Sequence, residues 1–226
     1  MKTKLSVGYA FGFMIEKSVI NVIPLVAALV LYILTIWIPY INVGTTIALS
    51  TIPIKISRSH VINPFFIFDK VYREKMGEYF LLVSLTVIPV MISFFFMIVP
   101  AIVLSLTWSL AIYLLLDKKI DNPVECLVES NRRTKGYKWS MFLIVLAFVL
   151  GIFIINYIFT LIFGFLFGES SFLFSFFYII LLLVEAPMNI SLSAYFYKVL
   201  VLDVDDEEAK VESVVENVET QENPVV

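Results

Sequence analysis

Glu185 is the residue of this sequence with the most chemistry to explain, since it stands inside the apolar run from Leu181 to Ile190. A carboxylate at the centre of a bilayer costs about 2.5 kcal/mol or more. It must therefore be protonated, hydrated in a cavity, or held by neutral groups. Asn189, one turn on, Asn156 in the preceding apolar run and Trp108 further back are the side chains able to do so, and Pro187 frees a backbone carbonyl nearby. Such a set suits a site for a proton, a cation or a lipid headgroup, against the plain alternative of a protonated packing residue. A second candidate is cationic. Arg132, Arg133, Lys135 and Lys138 sit just before an apolar run, where basic side chains attract anionic headgroups at about 1 kcal/mol each, although topology alone also explains them. A single cysteine, Cys126, and a single histidine, His60, offer no multi-cysteine or histidine metal set and no disulfide framework. No cofactor or metal is expected.

The elements that position these residues follow from composition. The chain has 226 residues, 60% hydrophobic and 15% charged, with a mean hydropathy of +0.95. A water-soluble domain cannot hide that much apolar surface. Apolar runs without period-two alternation predict an all-α integral membrane protein. Six runs are expected to span, over 18–39, 42–56, 79–99, 101–117, 140–164 and 173–198; the second and fourth are short, about 22–26 Å as helices. Residues 203–226 hold nine acids and one lysine, a net −8 that leaves residues 1–202 at +5. That acidic segment reads as a disordered tail behind a polytopic domain of residues 1–202. The first residues, with Glu16 and Lys17 interrupting the apolar stretch, do not read as a signal peptide.

Cations set the orientation. Lys2, Lys4 and Lys17 precede the first run, five basic residues from Lys55 to Lys75 lie between the second and third, six from Lys118 to Lys138 between the fourth and fifth, and Lys198 and Lys210 follow the sixth. The turns near Asn42, Pro100 and Glu169 carry none, which predicts both termini in the cytosol. Trp37 and Tyr40 suit the outer headgroup level, Tyr137 and Trp139 the inner one.

Both large cytosolic loops repeat a pattern at an offset of 59 residues. Asn63-Pro64 and Asn122-Pro123 each supply a capping Asn with Pro in the first helical turn, and Gly77 and Gly136 each follow the Pro by thirteen residues. Arg73 and Arg132 align as well. Each unit is expected to form an interfacial amphipathic helix, one burying Ile67, Phe68, Val71 and Tyr72, the other Val124, Leu127 and Val128. Glu125 is placed to complete a capping box with Asn122, and Glu129 to pair with Arg133. Residues Lys4 to Lys17 read as a third copy, giving repeat units 1–60, 61–119 and 120–202. The spacings Gly8 to Gly12 and Gly164 to Gly168 suit close helix packing.

Between Ile98 and Leu146, Pro100, Trp108-Ser109, Asp117, Ser130, Thr134-Lys135-Gly136 and Trp139 form a pattern that resembles the membrane domain associated with some bacterial glycerophosphoryl diester phosphodiesterases and with related inner-membrane proteins; the remainder agrees in layout, including the region of Tyr197. Ala101 stands where many relatives have Gly, and Asn131-Arg132-Arg133 replaces more usual aromatic and acidic residues. The resemblance implies a bacterial membrane module without the catalytic domain, whose chemistry needs more than the one histidine present. The expectation is a non-enzymatic module of the cytoplasmic membrane, a scaffold, assembly or lipid-organising factor. Its expected partners are membrane lipids, anionic headgroups included, and a membrane protein, but not nucleic acid. The competing expectation is a small transporter or channel subunit built around Glu185.

Overall fold

The computed structural model describes residues 5–60, 62–117, 119–168 and 171–210. Every regular element among them is helical. Five helices are long and apolar enough to cross a membrane, Val7–Thr35, Met76–Phe96, Ile98–Leu116, Lys138–Phe167 and the helix that starts at Phe172 and runs to Lys210.

The first hairpin comprises α1 (Val7–Thr35), α2 (Pro39–Ser50) and α3 (Ile52–Ser57). The segment Lys4 to Lys17 is not a separate interfacial helix where it is described. From Val7 it is the first part of α1, and one buried stripe, Ala10, Met14, Ser18, Asn21, Leu25 and Ala28, runs on without a break. The return arm expected over 42–56 is interrupted at Thr51, where Pro53 in the first turn of α3 cannot donate a ladder bond. Its longer part has 12 residues, or about 18 Å.

The expected first loop helix is instead a 3₁₀ turn, Pro64–Phe68, and a single turn α4 (Val71–Glu74), separated by extended Asp69. Asn63 still caps the 3₁₀ turn, accepting from the Phe65 N–H at 3.2 Å. Gly77 caps nothing, because α5 (Met76–Phe96) has already begun. Phe66 and Ile67 are buried while Phe68 and Val71 are exposed, so the buried face differs from the expected one. This segment packs beside α2, and the Arg73 guanidinium lies 5.1 Å from the ring of Tyr40. The loop unit expected on the inner side thus reaches the corner expected on the outer side, because α2 is too short to hold them a full bilayer apart.

A single extended residue, Met97, joins α5 to α6 (Ile98–Trp108), which continues through Ser109 and Leu110 into α7 (Ala111–Leu116). The second loop helix, α8 (Pro123–Thr134), follows the sequence expectation closely. Asn122 accepts from the Val124 N–H at 3.0 Å, its side-chain amide donates to Glu125 at 3.1 Å, and Gly136 follows the helix at φ +88°. Its buried face is Cys126, Ser130 and Thr134, with Leu127 half-buried against the core as expected, whereas Val124 and Val128 are 55% and 66% exposed. Small side chains win that face because the groove they fill lies against the α6–α7 junction.

The last hairpin pairs α9 (Lys138–Phe167) with α10 (Phe172–Tyr197), and rings of Phe159, Phe163, Phe174, Phe177 and Tyr178 fill the space between them. After a π-helical turn, Lys198–Leu202, the helix continues through Asp203 to Lys210. The opening of the acidic segment is therefore ordered, and residues 211–226 lie outside the described residues. Helices α1 and α10 run antiparallel. Phe13 meets Tyr195 with ring centroids 5.7 Å apart, Ser18 donates to the Pro187 carbonyl at 3.1 Å, and Val22 shares a groove with Val184.

Candidate functional site

Ends of all three hairpins meet in one polar layer. Arg58, just past α3, donates to Asp117 at 2.6 Å, and Tyr197 at the end of α10 donates its hydroxyl to the same carboxylate. Arg58 and Asp117 are 59 residues apart, the offset of the loop repeat, and each stands five residues before its Asn-Pro start. Equivalent positions of two units thus meet as an ion pair. The Asp117 side chain is 5% exposed, whereas that of Arg58 is 42% exposed. Lys75, at the start of α5, pairs with Asp121 of the following loop.

A second cluster joins α8 to the last helix. Glu129 accepts from Arg132 Nε at 2.7 Å and Nη2 at 2.8 Å, and from Arg133 Nε at 2.5 Å. Hydrogen bonds from Arg132, with those from Arg133, hold its carboxyl down at about 2. Arg133 also reaches Asp205 at 2.6 Å, and Lys119 pairs with that aspartate. Of the four residues expected to form a cationic patch, Arg132 and Arg133 are thus neutralised within the chain. Lys138 donates to Asn131 at 3.1 Å, and Lys135 is exposed. A cleft of about 260 Å³ between Arg132, Lys135, Tyr137, Asp203 and Glu208 carries both signs of charge.

Beneath this layer, Ser130 closes the break between α6 and α7. Its hydroxyl donates to the Thr107 carbonyl at 2.6 Å and accepts from the Leu110 N–H at 3.3 Å. Thr134 donates to the Ser130 carbonyl at 2.9 Å. One loop side chain thereby satisfies backbone groups of an apolar helix that its own ladder leaves open. Cys126 is fully buried on the same face, its thiol facing the Ile120 carbonyl at 3.6 Å, and burial pushes it up to about 11. His60 contributes to neither cluster.

The intramembrane set is smaller than expected. Asn156 Nδ2 donates to Glu185 Oε1 at 2.6 Å and to the Ile152 carbonyl at 3.0 Å, while its Oδ1 is buried without a donor. Neither Asn189 nor Trp108 joins them. Asn189 is exposed, its carbonyl accepting from Ser193, and Trp108 is the last residue of α6, next to the Thr107 whose carbonyl Ser130 binds. On an ideal helix Asn189 stands about 40° round from Glu185, enough to turn it away from α9.

Gly8 and Gly12 both face open space, and a Cβ added at either position would meet nothing within 4 Å, so among the described residues their spacing serves no close helix packing. Comparison with family models, with curated proteins and with solved structures finds no match for the chain.

Proposed function

We propose that this chain is a non-enzymatic integral membrane module of a bacterial cytoplasmic membrane, a scaffold or lipid-organising factor whose working surface is the polar layer on its cytosolic side. The observation that carries the reading is the closure of that layer. Arg58, Asp117 and Tyr197, contributed by three different hairpins, are bonded to one another, and Asp205 binds the last helix to Lys119 and Arg133. Bonds of this kind hold loop helices in a fixed arrangement, as a platform requires and a moving gate does not.

The proposed topology is six apolar arms in three hairpins, with both termini cytosolic. The antiparallel register of α1 and α10 supports an even number of crossings. Five long helices alone would make the first and last run the same way, which favours α2 and α3 as the return arm. Gathering of basic residues around the polar layer supports placing it in the cytosol. The resemblance to the phosphodiesterase-associated membrane domain is retained within this proposal; of the residues that carry it, Asp117 and Tyr197 bond the layer and Ser130 and Thr134 close the α6–α7 break beneath it.

One observation favours the competing transporter reading. Glu185 and the unmet Asn156 Oδ1 lie together between α9 and α10, and a proton or small cation there would satisfy both. The readings separate in proteoliposomes loaded with a pH-sensitive or sodium-sensitive dye. The module reading predicts the same flux for the wild-type chain, Glu185→Gln and empty vesicles. A wild-type flux that Glu185→Gln abolishes would replace it with the transporter.

A further inference from the structure

The chain has four arginines, and three of them are answered by carboxylates. Arg58 has Asp117, Arg132 has Glu129, and Arg133 has Glu129 and Asp205. Among the described residues no carboxylate lies within ion-pair reach of Arg73. Its Nη2 donates to the Phe68 carbonyl at 3.3 Å, its guanidinium lies over the Tyr40 ring, and its Nε is buried with no acceptor.

The cause is visible at the 59-residue offset. Arg73 corresponds to Arg132, but Lys70 occupies the position of Glu129. The internal acid of the second unit is thus replaced by a second cation in the first. Glu74 does not compensate, since consecutive helical residues do not face each other. Gly44 gives the arginine its place, because a Cβ there would stand 3.0 Å from Arg73 Cγ and Nε.

Around this group the surface is apolar and aromatic. Phe65, Phe68, Val71, Trp37 and Tyr40 are all exposed, and aromatic rings of this kind settle at headgroup level. The outer edge of this planar guanidinium, where Nη1 meets no acceptor among the described residues and Nη2 bonds only the Phe68 carbonyl, matches the oxygens of a phosphate, and the flanking apolar side chains suit what a phospholipid carries beyond its phosphate. We propose that Arg73, aided by Lys70, binds the phosphate group of a membrane phospholipid, so that the lipid site of this chain lies on the first loop unit and not on the more basic second one. The inference rests on the reading of the chain as membrane-embedded and adds to it a ligand class and a place.

The test uses the full-length chain released from detergent into native mass spectrometry, with phosphatidylglycerol and phosphatidylcholine supplied together. Wild type should retain phospholipid. Arg73→Gln should weaken retention about tenfold, and Arg132→Gln should change it less than about twofold, because that side chain is already occupied by Glu129. Gly44→Ala keeps every charge but displaces Arg73, and should weaken retention as well; it decides the matter if Arg73→Gln does not fold. Retention equal to wild type in Arg73→Gln, or in Gly44→Ala when Arg73→Gln is unfolded, overturns the proposal. So does binding of inorganic phosphate by a chain that retains no lipid. Failure here leaves the module reading intact, since that reading rests on the polar layer and is decided against the transporter by the flux assay.

Discussion

Truncating Asp117 removes the acceptor shared by Arg58 and Tyr197, and the structure separates what each partner contributes. Tyr197 is fully buried, so losing its acceptor leaves a hydroxyl without water, at about 1–3 kcal/mol. Arg58 is 42% exposed and rehydrates, so its share is at most about 1 kcal/mol. Asp117→Ala should therefore destabilise the folded chain by about 1–4 kcal/mol, as the sum of those two losses. Reversible unfolding in mixed micelles with a denaturing detergent measures this. Double-mutant cycles with Tyr197→Phe and Arg58→Gln then apportion it. Coupling to Tyr197 should exceed coupling to Arg58. A total below about 0.5 kcal/mol, within the range of an ordinary surface substitution, or the opposite ranking, would refute the view that a buried acceptor holds the hairpin ends together.

Ser130→Ala strips the Thr107 carbonyl and the Leu110 N–H of their partner and should cost about 2–3 kcal/mol in the same assay, Thr134 giving partial relief because it already approaches the Thr107 carbonyl at 3.4 Å; no measurable loss would show that the α6–α7 break is satisfied in another way. Glu129 has its carboxyl lowered from 4.5 to about 2 in the folded chain, so the stability it contributes is fully present above about pH 4.5 and is lost as pH falls towards 2. Glu129→Gln should flatten the part of the acid-unfolding curve that lies in that window, and a wild-type curve from the variant would contradict the assignment.

Local signals in the sequence carried well into the structure. The caps at Asn63 and Asn122, the glycine after α8, the Glu129–Arg133 pair and the Asn156–Glu185 contact all depend on residues within one element or on a hairpin whose two arms are plain. The polar layer was not legible. Asp117 finds Tyr197 80 residues away, and no spacing rule joins an aspartate at the end of one helix to a tyrosine at the end of another. The buried face of α8 was hidden for a different reason. Cys126, Ser130 and Thr134 look less apolar than Val124 and Val128, and a hydrophobicity argument gives the inward face to the valines. In membrane proteins the ranking can invert, since lipid accepts the valines while open backbone groups need the hydroxyls. Arg73 misled for a third reason: as a cation it marked a cytosolic loop, and its actual neighbours, Tyr40 and Gly44, come from a return arm too short to keep them apart.

The central claim, that three hairpins leave and re-enter one cytosolic layer, is tested most directly by thiol labelling of intact cells with a membrane-impermeant maleimide. Cys126 can be left in place, because its thiol is buried and raised to about 11. Single replacements Asn42→Cys, Met97→Cys and Ser171→Cys should react from outside, and Lys135→Cys only after the membrane is opened. If Met97 or Ser171 shares the side of Lys135 the account fails, and if Asn42 alone does so, the first hairpin turns back without crossing and six crossings are contradicted.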